Sequence, residues 1–174
     1  RRQAYARPRK ALIVFTPKSM LRLRGATSGV EDFTNGTFQP VIDDAGAVAE
    51  QVTRVILTSG KVYYDLRTAL EKSPDPRIAT VRVEQYYPMP AVELSRVLVN
   101  YPGAELVWVQ DEPENQGAWP FLSAHLAADL AQHLPDYALN MVPVTRAAAS
   151  APSVGSLKAH KQQEEDLMRR ALED

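Results

Sequence analysis

The sequence predicts an α/β fold, a mostly parallel five-stranded sheet with helices on both faces. Short apolar runs rich in Val and Ile recur along the chain, and amphipathic stretches with helical spacing lie between them. Near-continuous apolar runs are typical of strands buried on both faces, and strand–helix alternation is typical of a parallel sheet. A length of 174 residues is enough for a proper core. We therefore expect one α/β domain over residues 1–174.

Five apolar runs are the expected strands. In chain order they are ALIVF (11–15), RVILTS (54–59), IATVRV (78–83), ELVWVQ (105–110) and YALNMV (137–142). Four of them are near-continuous in apolar residues, as strands covered on both faces should be.

Four stretches have helical spacing, and they are 61–72, 90–100, 118–134 and 156–172. Pro90 suits the first turn of the second, Pro135 follows the third, and Ser156 is a plausible N-cap of the last. The region 22–50 has little periodicity, so we expect an irregular excursion there with one short helix near 45–51. A loop of that length is usually functional or lies against another domain.

Composition excludes several classes of protein. A net charge of −1 gives no bulk electrostatic case for binding nucleic acid or an anionic membrane. The chain has no cysteine, which excludes disulfides, thiolate nucleophiles and cysteine metal sites and fits a cytoplasmic protein. No apolar run approaches the ~20 residues that span a bilayer. The first residue is Arg1 rather than Met, and we expect the chain to be part of a longer protein.

The sequence offers no complete set of catalytic residues. His125 and His133 are eight residues apart on one expected helix, which is too far for an i, i+4 zinc pair, so we interpret both as surface or core histidines. His160 stands beside Lys158 and Lys161 and suits either a phosphate contact or a solvated face. GxSxG and GxGxxG motifs are absent. We predict no catalytic residue and no metal ligand in this chain.

Two strand ends carry cationic groups. The segment TSGK (58–61) combines hydroxyls, a permissive glycine and Lys61 at the start of a helix, where backbone N–H groups and the helix dipole favour an anion. Simple capping of that helix by Ser59 is the alternative. The segment TPKSMLRLR gathers Lys18, Arg22 and Arg24, which suits either a solvated basic face or a site for a polyphosphate or acidic partner.

The stretch WVQDEPENQGAW (108–119) joins an expected strand to an expected helix through side-chain amides and a glycine. Its acids Asp111, Glu112 and Glu114 could bind a metal or act in acid–base catalysis, but they equally suit capping and interdomain salt bridges. The carboxyl ends of parallel strands share one edge, so we expect TPKS, TSGK, EQYYPMP and QDEPENQGAW to meet there. These residues indicate either a binding or assembly domain, or part of an enzyme whose catalytic residues lie elsewhere.

These segments, in this order, resemble the C-terminal domain of the decarboxylating first component of the 2-oxoglutarate dehydrogenase complex. The stretches that carry the resemblance are LIVFTPKSMLR, LTSGKVYYDL, VRVEQYYPMP, WVQDEPENQGAW, ASAPSVGSLKAH and QQEEDL, and they cover nearly the whole chain. FTPKSMLR and NQGAWP are most similar to the actinobacterial form, a multifunctional 2-oxoglutarate decarboxylase and dehydrogenase.

The resemblance implies a transketolase C-terminal-like fold with one antiparallel strand. It implies that the full enzyme is a homodimer that decarboxylates 2-oxoglutarate on thiamine diphosphate with magnesium and passes a succinyl group to the lipoyl arm of a succinyltransferase component. Both cofactors would be bound by the preceding catalytic domains, so this segment alone should be inactive.

The actinobacterial resemblance also implies a regulatory site for acetyl-CoA, an allosteric activator. The candidate contacts by position are Lys18, Arg22, Ser28, Thr58, Lys61, Gln110, Gln116 and Gly117. The alternative is a purely structural module for dimerisation and interdomain packing, whose polar strand-end loops contact other domains. A free-standing ligand-binding α/β domain is a third reading of the residues.

Overall fold

The computed structural model describes residues 2–135, 137 and 139–173. The chain divides into two compact units, Arg1–Gln39 and Pro40–Asp174. Helices and strands are numbered below in chain order.

The first unit contains short helical segments only, within the residues described. They are helix α1 (Arg2–Tyr5), two 3₁₀ turns (Lys18–Arg22 and Arg24–Ala26) and helix α2 (Val30–Thr34). The strand predicted at 11–15 is wrong, because this run has no regular secondary structure. Its side chains are 66%, 76%, 71% and 93% exposed from Leu12 to Phe15. A strand needs a neighbouring strand to take its hydrogen bonds, and no described strand pairs with this segment.

The second unit holds the five-stranded sheet. Its strands are β1 (Val41–Ile42), β2 (Arg54–Thr58), β3 (Ile78–Val83), β4 (Glu105–Pro113) and β5 (Met141–Arg146). Their spatial order is β1-β3-β2-β4-β5; β1 runs antiparallel to β3, and every other pairing is parallel. The predicted α/β class, the strand number and the single antiparallel strand are therefore confirmed, although β1 replaces the strand expected at 11–15.

Four longer helices connect and cover the strands. They are α3 (Lys61–Lys72), α4 (Ala91–Leu98), α5 (Trp119–Ala131) and α6 (Leu157–Leu172). The predicted cap is present at α6, where the Ser156 hydroxyl accepts a hydrogen bond from the Ala159 N–H at 3.4 Å. The region before β2 forms a single 3₁₀ turn, Ala49–Gln51, where a short helix was expected.

Alternate residues of each strand supply two separate cores. On one face, Leu57 and Trp108 pack with α4 and α5, whose buried residues include Leu94 and Leu122. On the other face the core residues are Ile56, Val107 and Val109 from the strands with Val62, Leu66, Leu167 and Ala171 from α3 and α6. Helices therefore cover both faces, which explains why the centres of β2 (55–57) and β4 (106–109) are apolar without interruption. No described helix is long and apolar enough to cross a bilayer.

The strand register brings the carboxyl ends together. Thr58 at the end of β2 lies level with Arg82 in β3 and with Val109 in β4. Strand β4 then continues to Pro113, with a register shift against β5 between Val109 and Pro113. The acids that follow the apolar run in the sequence therefore extend the strand rather than end it.

Candidate functional site

Three of the four predicted segments meet at the carboxyl edge of the sheet in the second unit. TSGK follows β2, EQYYPMP follows β3, and the turn 114–118 follows β4. TPKS follows no strand and belongs to the first unit, so the expectation that it joins the other three as a strand-end loop is wrong. The physical reason is the missing strand at 11–15.

The turn between β2 and α3 depends on Gly60. Its φ of +68° lies in the left-handed region that favours glycine, although a Cβ there would meet nothing within 4 Å. Helix α3 has no side-chain N-cap, so the predicted capping by Ser59 is wrong. Thr58 just before it is buried and donates its hydroxyl hydrogen bond to the Val109 carbonyl at 2.9 Å. The hydroxyl of Thr58 thus ties β2 to β4.

Ser59 instead pairs with Tyr86 of the loop after β3. Burial raises the pKa of the Tyr86 phenol, and the hydrogen bond with Ser59 offsets part of that rise. The Tyr86 ring also meets the Trp108 indole edge to face, with centroids 6.0 Å apart. Tyr86 is therefore held between β2 and β4, while the next residue, Tyr87, is exposed.

Lys61 opens α3 and is already paired with carboxylates. Its ammonium group donates to the carboxylate of Asp65 one turn along the helix and, at 3.5 Å, to Glu164 of α6. Burial opposes the charged form of Lys61, but the hydrogen bond with Asp65 and the nearby negative charges outweigh it, so the pKa of Lys61 is raised. Lys61 stays protonated, and an anionic ligand would compete with Asp65 for it.

Gln110 is the buried centre of the turn after β4. Its Oε1 accepts from the Trp108 indole N–H and from the Trp119 backbone N–H, each at 2.9 Å. Its Nε2 donates to the carbonyls of Gln116 at 2.7 Å and Pro113 at 3.1 Å. One side chain therefore fixes the strand end, the turn and the start of α5 together.

The other groups of this turn also have partners within the protein. Gly117 has φ of +66°, and a Cβ on it would come within 3.0 Å of the Gln110 side chain. Asn115 exchanges two hydrogen bonds of 3.0 Å with the backbone of Ala149, and Gln116 donates to the same carbonyl at 2.9 Å. The amides that the sequence offers as ligand groups thus hold the connector between β5 and α6 to the turn.

Arg146, at the end of β5, is a member of this edge that the sequence analysis missed. Its buried guanidinium donates to Asp111, at 2.7 Å to the carbonyl and 2.5 Å to Oδ1, and to Gln163 of α6 at 2.8 Å. Charge-assisted hydrogen bonds of this kind are shorter and stronger than hydrogen bonds between neutral groups. The strand was expected to end at Val142, which placed Arg146 in a connector. In the sequence, the only indication of this pair was Asp111, an acid at a strand end without an assigned partner.

Three of the eight candidate contacts lie in the first unit. Lys18 and Arg22 bound one 3₁₀ turn and are exposed, and Ser28 is exposed ahead of α2. Thr58, Lys61, Gln110, Gln116 and Gly117 lie in the second unit. A common acetyl-CoA site for all eight residues stays a prediction.

Histidines and acids form no metal centre in the part of the chain that is described. No group of three or more His, Asp or Glu side chains there is placed to hold an ion. His125 is exposed and stacks against Phe121, with ring centroids 4.7 Å apart. Helix α5 ends at Ala131, so His133 lies beyond it rather than on it.

Comparison with known proteins identifies the family. The model of the 2-oxoglutarate dehydrogenase C-terminal family matches residues 27–172. The chain is 44% identical, over 99% of its length, to the 2-oxoglutarate dehydrogenase E1/E2 component of Corynebacterium glutamicum. It is 41% identical, over 94%, to the multifunctional 2-oxoglutarate metabolism enzyme of Mycobacterium sp. (strain JLS), and 38% identical, over 99%, to the oxoglutarate dehydrogenase of Buchnera aphidicola.

The chain spans only 14%, 13% and 18% of the lengths of these three relatives. The resemblance found in the motifs is confirmed by the match and by the three identities. The chain belongs to the 2-oxoglutarate dehydrogenase C-terminal family.

Proposed function

We propose that this chain is the C-terminal domain of a cytoplasmic enzyme that decarboxylates 2-oxoglutarate and transfers the succinyl group to a lipoyl arm. The observation that carries the proposal is the family match over residues 27–172, together with 38–44% identity to 2-oxoglutarate dehydrogenases. Its partners are the preceding catalytic domains of the same polypeptide, a second copy in a homodimer, and the lipoyl-bearing succinyltransferase component.

Thiamine diphosphate and magnesium belong to the preceding domains in this proposal. Among the described residues, no group of three or more His, Asp or Glu side chains is placed to hold a metal ion, which is in keeping with magnesium binding by those domains. The contribution of this domain is therefore positional. Gln110 and Arg146 brace the carboxyl edge from within, which gives a rigid surface against which other domains can pack.

The regulatory part of the proposal places acetyl-CoA at this edge, with Lys61 as the central phosphate contact. Three features support it: helix α3 starts without a side-chain cap, Gly60 just before it has a left-handed backbone, and Lys61 is protonated. Thr58, Gln110, Gln116 and Gly117 would then shape the wall of the site within the second unit.

The second candidate is a purely structural module without an effector site. The observation that favours it is that the side-chain amides of Gln110, Asn115 and Gln116 all form hydrogen bonds within the protein. Under this alternative the polar edge is an interdomain contact, and Lys61 is neutralised by Asp65 and Glu164.

Calorimetric titration of acetyl-CoA separates the two. The effector proposal predicts saturable binding that Lys61→Ala weakens about tenfold or more, since a hydrogen bond to a charged group contributes about 1.5–3 kcal/mol. The matched control is Lys72→Ala, at the exposed far end of the same helix, which should bind as the wild type does. No saturable heat at millimolar acetyl-CoA in the intact dimer would leave the structural module as the function.

A further inference from the structure

The run ALIVF (11–15) has the composition of a β-strand but no regular secondary structure. Five consecutive apolar residues lie in irregular backbone, and the four from Leu12 to Phe15 are largely exposed. Soluble proteins rarely leave so continuous an apolar segment uncovered, and uncovered β-prone segments pair readily with other strands. Ile13 and Phe15 would share one face of a strand, and Leu12 and Val14 the other. Both faces of that strand are apolar, as in a sheet covered by helices on both sides.

The family comparison places this run outside the C-terminal domain. The family match begins at residue 27, yet the relatives align over 99% of the chain. Residues 1–26 therefore correspond to a part of those longer enzymes that lies before their C-terminal family region. Residues 1–26 also fall within the first compact unit, Arg1–Gln39, whereas the sheet belongs to the second.

Charge in this part is also segregated. Residues 1–26 contain eight of the 20 Lys and Arg residues and none of the 21 Asp and Glu residues. Basic residues flank the apolar run on both sides, with Arg9 and Lys10 before it and Lys18 and Arg22 after it. Two copies of this run paired in either direction would bring like charges together, which disfavours pairing between copies.

We propose that residues 11–15 form a β-strand that adds to the free edge of a sheet in the preceding part of the same polypeptide, at an edge bordered by acidic residues. This inference depends on one part of the proposed function, namely that the chain is part of a longer enzyme. The expected single domain over 1–174 then becomes shorter, because residues 1–26 belong structurally to the preceding domain. Strand addition uses main-chain hydrogen bonds for affinity and alternate side chains for register.

Amide hydrogen exchange tests the proposal on the full-length enzyme and on the 174-residue chain. We expect the amides of residues 12–15 to exchange about 100-fold or more slowly in the full-length enzyme, and near the unprotected rate in the chain alone. Ile13→Asp should remove the protection. Val30→Asp is the matched control, because it makes the same charge change at an equally exposed residue, 77% against 76%, outside residues 1–26.

Unprotected amides in the full-length enzyme would overturn the proposal, and this wild-type comparison holds even if Ile13→Asp does not fold. Protection in the isolated chain that disappears on dilution would assign the strand to a second copy instead. A reading frame that encodes no preceding domain would also refute it. Turnover of 2-oxoglutarate is measured on the same sample. Protected amides without turnover would refute the proposed activity alone, and turnover with unprotected amides would refute the strand alone.

Discussion

Replacing Gln110 by leucine tests whether one buried amide holds the carboxyl edge together. Leucine is close to glutamine in size, so the change removes hydrogen bonds with little change in volume. The Trp108 indole N–H and the Trp119 backbone N–H lose their acceptor, and the carbonyls of Pro113 and Gln116 lose a donor. Trp108 is only 1% exposed, so water cannot readily replace its partner.

The expected cost follows from these lost partners. A buried donor left without an acceptor costs about 1–3 kcal/mol. The indole N–H of Trp108 should cost the full amount, and the half-buried Trp119 N–H somewhat less. Better burial of the leucine side chain offsets part of the loss. We predict that Gln110→Leu lowers the free energy of unfolding by about 2–4 kcal/mol, a large share of the 5–15 kcal/mol typical of a domain.

Urea unfolding of the wild type and the variant, followed by tryptophan fluorescence and circular dichroism, measures this difference. The control is Gln162→Leu on the exposed face of α6, which should lie within about 0.5 kcal/mol of the wild type. If Gln110→Leu unfolds at the same urea concentration as this control, the hydrogen bonds of Gln110 do not stabilise the edge.

Two further predictions concern the backbone and pH. Gly117→Ala forces a Cβ into the left-handed region and against Gln110, so we expect a loss of about 1–3 kcal/mol in urea unfolding, whereas Gly155→Ala, in open space, should change little. Hydrogen bonds from Arg77 lower the pKa of Asp75 to about 2, from an ordinary 3.8. The stabilisation from this pair is therefore present above pH 4 and lost as the pH falls towards 2. A carboxyl NMR titration should place the Asp75 midpoint near pH 2 and, in Arg77→Gln, return it towards 3.8; equal midpoints would contradict the pairing.

The central strands and α3 could be predicted from the sequence because local pattern and tertiary position agree there. The helix predicted over 61–72 has the observed bounds, and β2 and β3 lie where their apolar runs place them. Continuous burial on both faces leaves an unbroken apolar signal, and glycine and proline mark the ends of these elements.

The strands predicted at 11–15 and 137–142 show what the local sequence pattern cannot predict. The first has the composition of a strand, but no described strand pairs with it. The second was expected to end before Pro143, whereas the observed β5, Met141–Arg146, runs through that proline. An edge strand tolerates proline because one of its sides needs no N–H donors. The apolar residues Tyr137 and Leu139 pack against the core from outside the strand.

The sequence predicted that polar segments meet at the carboxyl edge of the sheet, but only some of the side chains that lie there. The carboxyl edge follows from topology, which the strand order determines. Sequence spacing alone cannot distinguish a side-chain amide that is available to a ligand from one that is hydrogen-bonded within the protein. Gln110 and Gln116 are of the second kind. The partners that decide this, such as Ala149, are distant in sequence.

The proposed function is tested most directly by the release of CO₂ from 2-oxoglutarate, measured for the full-length enzyme supplied with thiamine diphosphate and magnesium and for the 174-residue chain. We expect turnover by the full-length enzyme and none by this chain alone. Turnover by the isolated chain, or an intact and loaded full-length enzyme without activity on 2-oxoglutarate, would contradict it.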